Sequence, residues 1–226
     1  MIEYLDKVYF FDGTPRMMGD APNIMCIGGD AKLAKRLRER RPKAVIALVE
    51  ASAGTASKLA QYAHSRRMAD HVFHAALAAS RGPVKIHCYP GGTANSLWAV
   101  HKFDHRRPAV APVLVDGMPL GDLLDMAKFA TCDMLFMNCE GAELFALRQL
   151  CAEPGLVDRV QQMCCGTHRL HQPIYTDAVL SPLVCKLSER YLIDSHTRYH
   201  QGKPSLEYML FRRLPHRGDP CSPKTQ

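Results

Sequence analysis

The chain has 226 residues, 47% of them hydrophobic and 23% charged, with a formal net charge of +7. That is one ordinary globular domain with enough chain for a full core, and its positive charge favours anionic partners such as nucleotides or phosphorylated substrates. No run of 18 apolar residues occurs, which excludes a transmembrane helix, and the N-terminus lacks the basic region and apolar core of a signal peptide.

The nine cysteines are odd in number and sit mostly in apolar runs, so free thiols in a reducing, cytoplasmic setting are expected. Residues 1–22 mix aromatic residues with Gly, Pro and Asp and read as an N-terminal arm. Residues 23–29, NIMCIGG, predict a strand that ends in a turn at Gly28 and Gly29. Asp30 then stands at the N-cap of a helix whose Ala31, Leu33, Ala34 and Leu37 form an apolar stripe. Strand, glycine turn and helix let a backbone approach a nucleotide closely. The basic block at residues 32–43 reads as the solvated face of that helix, because no aromatic residue interleaves it as a nucleic-acid surface would need.

Residues 44–49, AVIALV, predict a second buried strand ending at Glu50. An acid there, about twenty residues after a glycine turn, suits the hydroxyls of a ribose. A helix follows over residues 57–68, then over 70–79 a third strand followed by small residues, and another strand over 84–89. The loop after it carries Asn95 and Ser96, which read either as polar groups that orient a substrate or as part of a plain turn. Residues 101–108, HKFDHRRP, read as a charged surface loop rather than a metal site at His101, Asp104 and His105. An edge or antiparallel strand over 111–115 and a short helix over 119–126 come next.

Residues 131–147, TCDMLFMNCEGAELFAL, are the most informative stretch. Met134–Met137 has the length of a buried strand, a polar turn runs from Asn138 to Gly141, and the period becomes helical from Ala142. In open parallel sheets ligands sit outside the carboxyl ends of the strands, which places Glu140 well for chemistry. Residues 153–155 predict a loop, and 157–170 carry VDRVQQMCCGTHRL. Cys164, Cys165, His168 and His171 lack the spacing of zinc ligands, so no metal is expected. A helix broken by Pro182 spans 174–191, and residues 191–193 and 206–211 predict a closing antiparallel hairpin. The polar, Pro-rich residues 214–226 are expected to be a disordered tail.

Residues 135–144, LFMNCEGAEL, resemble the signature of FkbM-type methyltransferases, which use S-adenosylmethionine: an apolar strand followed by D-x-E-G-A-E. The resemblance runs from about Asn23 to Arg213 and departs at two positions. Asn138 stands where the family has Asp, and Cys26 where it has an acid before the first glycine. It implies an α/β, Rossmann-like methyltransferase fold whose mostly parallel twisted sheet is closed by an antiparallel hairpin, in residues 23–213. It also implies that Gly28, Gly29, Asp30, Glu50, Ala51, Ala75, Ala76 and Asn138 surround S-adenosylmethionine, with Glu50 on the ribose and Ala75 and Ala76 beside the adenine. Glu140 would orient the acceptor and His168 would act as base. The expected reaction is methyl transfer to a small-molecule or sugar hydroxyl, with no metal, nucleic acid or membrane involved. The alternative, favoured by Cys26 and Asn138, is a degenerate methyltransferase-like binding module without catalysis. Another Rossmann-type nucleotide binder ranks last, because Gly28 and Gly29 do not make G-x-G-x-x-G.

Overall fold

The computed structural model describes residues 2–5, 8–11, 20–29, 31–88, 96–97, 111–167, 175–200 and 203–214. In chain order an antiparallel hairpin, β1 (Ile2–Leu5) and β2 (Val8–Phe11), precedes β3 (Asn23–Ile27), α1 (Ala31–Arg40), β4 (Val45–Glu50), α2 (Ala53–Arg66) and β5 (His71–His74). Then come β6 (Ala76–Leu77), β7 (Gly82–Ile86), β8 (Val113–Met118), α3 (Leu120–Met126), β9 (Met134–Met137), α4 (Glu143–Ala152) and α5 (Pro154–Arg159). The chain closes with β10 (Gln162–Thr167), α6 (Asp177–Ser188), β11 (Tyr191–His200) and β12 (Lys203–Arg213).

Seven strands form the main sheet in the order β11-β12-β10-β9-β3-β4-β5. β5, β4, β3, β9 and β10 are parallel, and β12 runs antiparallel to both β10 and β11, which is the closing hairpin expected from the sequence. The chain winds outward from β3 through β4 and β5, then crosses back to place β9 on the other side of β3. The winding reverses between β3 and β9, and such a switch point opens a crevice at the carboxyl ends of the strands.

The central strands are apolar along their whole length because helices cover both faces of the sheet. On one face Ile24, Cys26, Ile46, Leu48 and Phe136 pack with Leu33, Ala34 and Leu37 of α1 and Leu59 of α2. On the other, Met25, Ile27, Val49, Leu135 and Met137 pack with Leu123 and Leu124 of α3, Leu144 and Leu147 of α4, and Leu180 of α6. Each fully buried leucine or isoleucine in these layers stabilises the fold by about 1.5–3 kcal/mol.

Four local expectations are corrected. α2 begins at Ala53, earlier than residue 57, because Ser52 caps it: its Oγ accepts from Thr55 N at 3.4 Å. The stretch 70–79 is two strands, since β5 stays beside β4 while β6 leaves to join β8 and β7 in a small separate sheet. Residues 154–159 are helical rather than a loop, with Pro154 at the start, where its missing N–H costs nothing. Pro182 does not break α6. It lies on the exposed side of the helix, where water can meet the carbonyl it leaves without a donor.

Candidate active site

A cavity of about 540 Å³ opens at the switch point, between the carboxyl ends of β3, β4 and β9. Gly28, Gly29, Glu50, Ala51, Ala75, Ala76, Asn138 and Glu140 all line it, together with Lys32, Thr55, Leu77, Ile86, Ser96 and Cys139. Asp30 and His168 lie outside the described residues, as does Asn95. Cys26, where the family signature has an acid, is buried against α1 and is part of the core.

The glycine turn is shaped by protein rather than by the cavity. Gly28 N donates to Val49 O at 3.0 Å and Asn138 N donates to Ile27 O at 3.0 Å, so the ends of β4, β3 and β9 are tied together. Gly28 has φ +84, and a Cβ there would stand 2.1 Å from the Asn138 carbonyl oxygen. Any side chain would force the two turns apart. A Cβ on Gly29 would fall 2.6 Å from Leu59 Cδ1, so this glycine lets α2 close over the turn.

Glu50 ends β4 with its carboxylate at the cavity wall, where Oε1 accepts from Ser52 N at 2.7 Å. Burial pushes its carboxyl above the ordinary value, and the backbone N–H groups of Ser52, Ala51 and Gly29 and the nearby His74 offset only part of that rise. Beyond it Ala75, Ala76, Leu77 and Ile86 form an apolar wall. A carboxylate able to accept two hydroxyls, next to an apolar slot of small side chains, suits a ribose carrying a flat base.

The turn after β9 is organised by a residue that sequence reasoning passed over. Glu143, the last residue of E-G-A-E, is 0% exposed. Its Oε1 accepts from Cys139 N at 2.5 Å, and its Oε2 accepts from Gly141 N at 2.8 Å and from Tyr175 Oη at 2.7 Å. Three donors aimed at one carboxylate replace its lost water. Burial, and then the Glu143 charge, push the Tyr175 hydroxyl and the Cys139 thiol well above their ordinary values, so both stay protonated donors. A legible signal did exist: α4 has Ala142 at its N-cap, which offers no capping side chain, and an acid in the first turn is the usual substitute.

Held this way, Glu140 takes φ +53, a left-handed conformation costing about 1–2 kcal/mol for a residue with a side chain. Its carbonyl accepts from Ser96 Oγ at 2.7 Å. Ser96 is therefore a support for the Glu140 backbone, although the sequence suggests a group that touches substrate. Asn138 lies against β10 at a point where a Cβ on Gly166 would be 2.8 Å from its Oδ1, and that buried oxygen has no partner among the described residues. That oxygen faces Gly166 of β10 and is closed to solvent.

No protein-family model matches the sequence, and no curated protein matches it. Solved structures do. The Methanococcus jannaschii fibrillarin pre-rRNA processing protein superposes with a TM-score of 0.50 over 94% of this chain and 70% of its own, at 7% identity. The B. subtilis M1A22 tRNA methyltransferase TrmK matches with a TM-score of 0.46 over 86% of this chain and 61% of its own, at 13% identity. TrmK of M. capricolum in complex with S-adenosyl-homocysteine matches with a TM-score of 0.47 over 88% of this chain and 64% of its own, at 9% identity. The chain thus spans about three fifths of the length of the first structures it matches. Its fold, a mostly parallel sheet covered by helices and closed by an antiparallel hairpin, is the Rossmann-like one shared with that fibrillarin structure. One expectation is overturned: a structure that shares this fold is a pre-rRNA processing protein, so nucleic acid is not set aside as a partner. No helix among the described residues is long and apolar enough to cross a membrane.

Proposed function

We propose that this chain is an S-adenosylmethionine-dependent methyltransferase of the FkbM type that methylates a hydroxyl, on a small molecule or on a sugar, ribose included. The observation that carries the reading is the gathering of Glu50, Ala75, Ala76, Asn138 and Glu140 around one cavity at the switch point. The cavity's size and lining fit the cofactor: a carboxylate that accepts from the ribose hydroxyls and an apolar slot for the base.

The bound cofactor supplies an electrophilic methyl group on a cationic sulfur. Glu50 holds the ribose, and Ala75 and Ala76 border the adenine. Gly28 and Gly29 keep the turn low enough for the methionine portion to pass. Glu140, fixed by Ser96 and by the Glu143 clamp, orients the acceptor, and His168, next in sequence after β10, takes the hydroxyl proton. Catalysis of this kind rests mainly on positioning, with deprotonation adding a further factor. Asn138 offers a dipole where the family places a charge, which weakens attraction for the sulfonium by about 1–3 kcal/mol relative to an aspartate.

The test follows label from methyl-labelled S-adenosylmethionine into hydroxyl-bearing acceptors, both a small-molecule extract and total RNA. Wild type transfers label, and Glu140→Gln, which keeps shape and loses charge, transfers at least about 100-fold less. Equal transfer by the two removes Glu140 from the site. No transfer by folded wild type returns the reading to a degenerate binding module.

A further inference from the structure

The outward faces of α1 and α2 form one surface. The two helices lie side by side on the same side of the sheet, with Leu33, Leu37 and Leu59 in one core layer beneath them. Lys35, Arg36 and Arg40 of α1, and Lys58, Arg66 and Arg67 at or just past α2, are exposed on it. Glu39 is the only acid between residues 31 and 49, and it pairs with Lys35 at 3.6 Å, an exposed contact that leaves the surface strongly positive. The surface starts at the cavity, whose wall includes Lys32 of α1 and Thr55 of α2. α2 also supplies what the basic block lacks in sequence. Tyr62 is 50% exposed, with the Arg66 guanidinium 5.7 Å over its ring.

We propose that this two-helix face binds single-stranded RNA and leads the strand to the mouth of the cavity. A positively charged track with an exposed aromatic ring is what a single strand requires: cations for the repeating phosphates, and a flat face on which a base stacks. An anionic membrane fits less well. An interfacial helix needs a row of large apolar side chains to insert, and Tyr62 is the only exposed large apolar residue of α1 and α2. An acidic peptide would use the charges but not the ring. The choice of RNA over DNA rests on the proposed hydroxyl methylation, since RNA carries a free hydroxyl on every ribose and DNA does not.

The experiment titrates a short, fluorescein-labelled, uridine-rich RNA with the whole chain and follows anisotropy at several salt concentrations. Binding is expected to weaken with salt, with a log–log slope of about −3 if roughly four phosphates are neutralised. The triple variant R36E, R40E, K58E loses about 100-fold or more in affinity, and Tyr62→Ala about tenfold, the range of one stacked base. Both variants keep wild-type circular dichroism and wild-type calorimetric binding of S-adenosylmethionine, which separates this face from the cofactor site. Methyl label enters the RNA but not DNA of the same sequence. The proposal is overturned if wild type fails to bind the RNA, if the triple variant binds as wild type does, if phosphatidylserine vesicles or polyglutamate compete as strongly as unlabelled RNA, or if DNA accepts label as RNA does. Loss of S-adenosylmethionine binding in wild type with RNA binding intact refutes the methyltransferase reading and leaves the RNA face standing.

Discussion

Replacing Glu143 by glutamine changes the shape of one buried side chain very little and its hydrogen bonding a great deal. The carboxylate accepts from two backbone N–H groups and one phenol, at Cys139, Gly141 and Tyr175. A glutamine has one oxygen, so its amide NH₂ must point at Cys139 N–H or at Gly141 N–H. At least one buried donor is left without an acceptor, at a cost of about 1–3 kcal/mol. The bonds that survive lose the assistance of charge and weaken by roughly half. Removing a buried anion recovers some desolvation energy, which holds the net loss to about 2–4 kcal/mol. That is a large share of the roughly 5–15 kcal/mol that a domain has in total. Urea unfolding followed by far-ultraviolet circular dichroism measures it, with Glu140→Gln beside it as a partly buried control expected to lie within about 0.5 kcal/mol of wild type. Because Glu143 fixes the turn bearing Asn138, Cys139 and Glu140, cofactor affinity should fall as well. A Glu143→Gln protein that unfolds within about 0.5 kcal/mol of wild type and binds cofactor normally refutes the clamp.

Gly28→Ala places a methyl 2.1 Å from the Asn138 carbonyl oxygen at a φ of +84. The conformation alone costs about 1–2 kcal/mol and the clash adds more, so urea unfolding should show a loss of at least about 3 kcal/mol, and a wild-type midpoint would contradict the packing described. Glu50 gives a pH signature. Burial raises its carboxyl above the usual 4.5, so the folded protein holds that proton more tightly than the unfolded chain. Its contribution to the stability of the empty protein is therefore present in acid and is lost as pH rises through the raised value. Hydroxyl donors favour the ionised form, so cofactor affinity runs the other way, weak in acid and tighter toward neutrality. Calorimetry across that range should show the rise in wild type and a flat profile in Glu50→Gln.

The parts of this molecule legible in its sequence are those set by short-range pattern. Met134–Met137 is buried on both faces of the sheet and reads as an unbroken apolar run, and Val45–Glu50 announces itself in the same way. Gly28, Gly29, Glu50, Ala51, Asn138 and Glu140 sit at or just past strand ends, because the switch point gathers those ends in any parallel sheet of this winding. What stayed hidden depends on contacts distant in sequence. The partner of Glu143 that closes its clamp, Tyr175, is 32 residues away, and Ser96 meets Glu140 across 44. The basic block read alone lacks an aromatic residue, and only the side-by-side packing of α1 and α2 sets Tyr62 on the same surface. Pro182 misled in the opposite direction, since the rule that proline ends a helix assumes that the freed carbonyl has no other partner.

Isothermal titration with S-adenosylmethionine and with its demethylated product, wild type beside Glu50→Ala, tests the central claim most directly. One site per chain is expected, with the variant folded and its affinity lower by about 1–3 kcal/mol, the worth of charge-assisted hydrogen bonds to the ribose. No heat from folded wild type with either compound, or an unchanged affinity in Glu50→Ala, would contradict the assignment of this cavity to the cofactor.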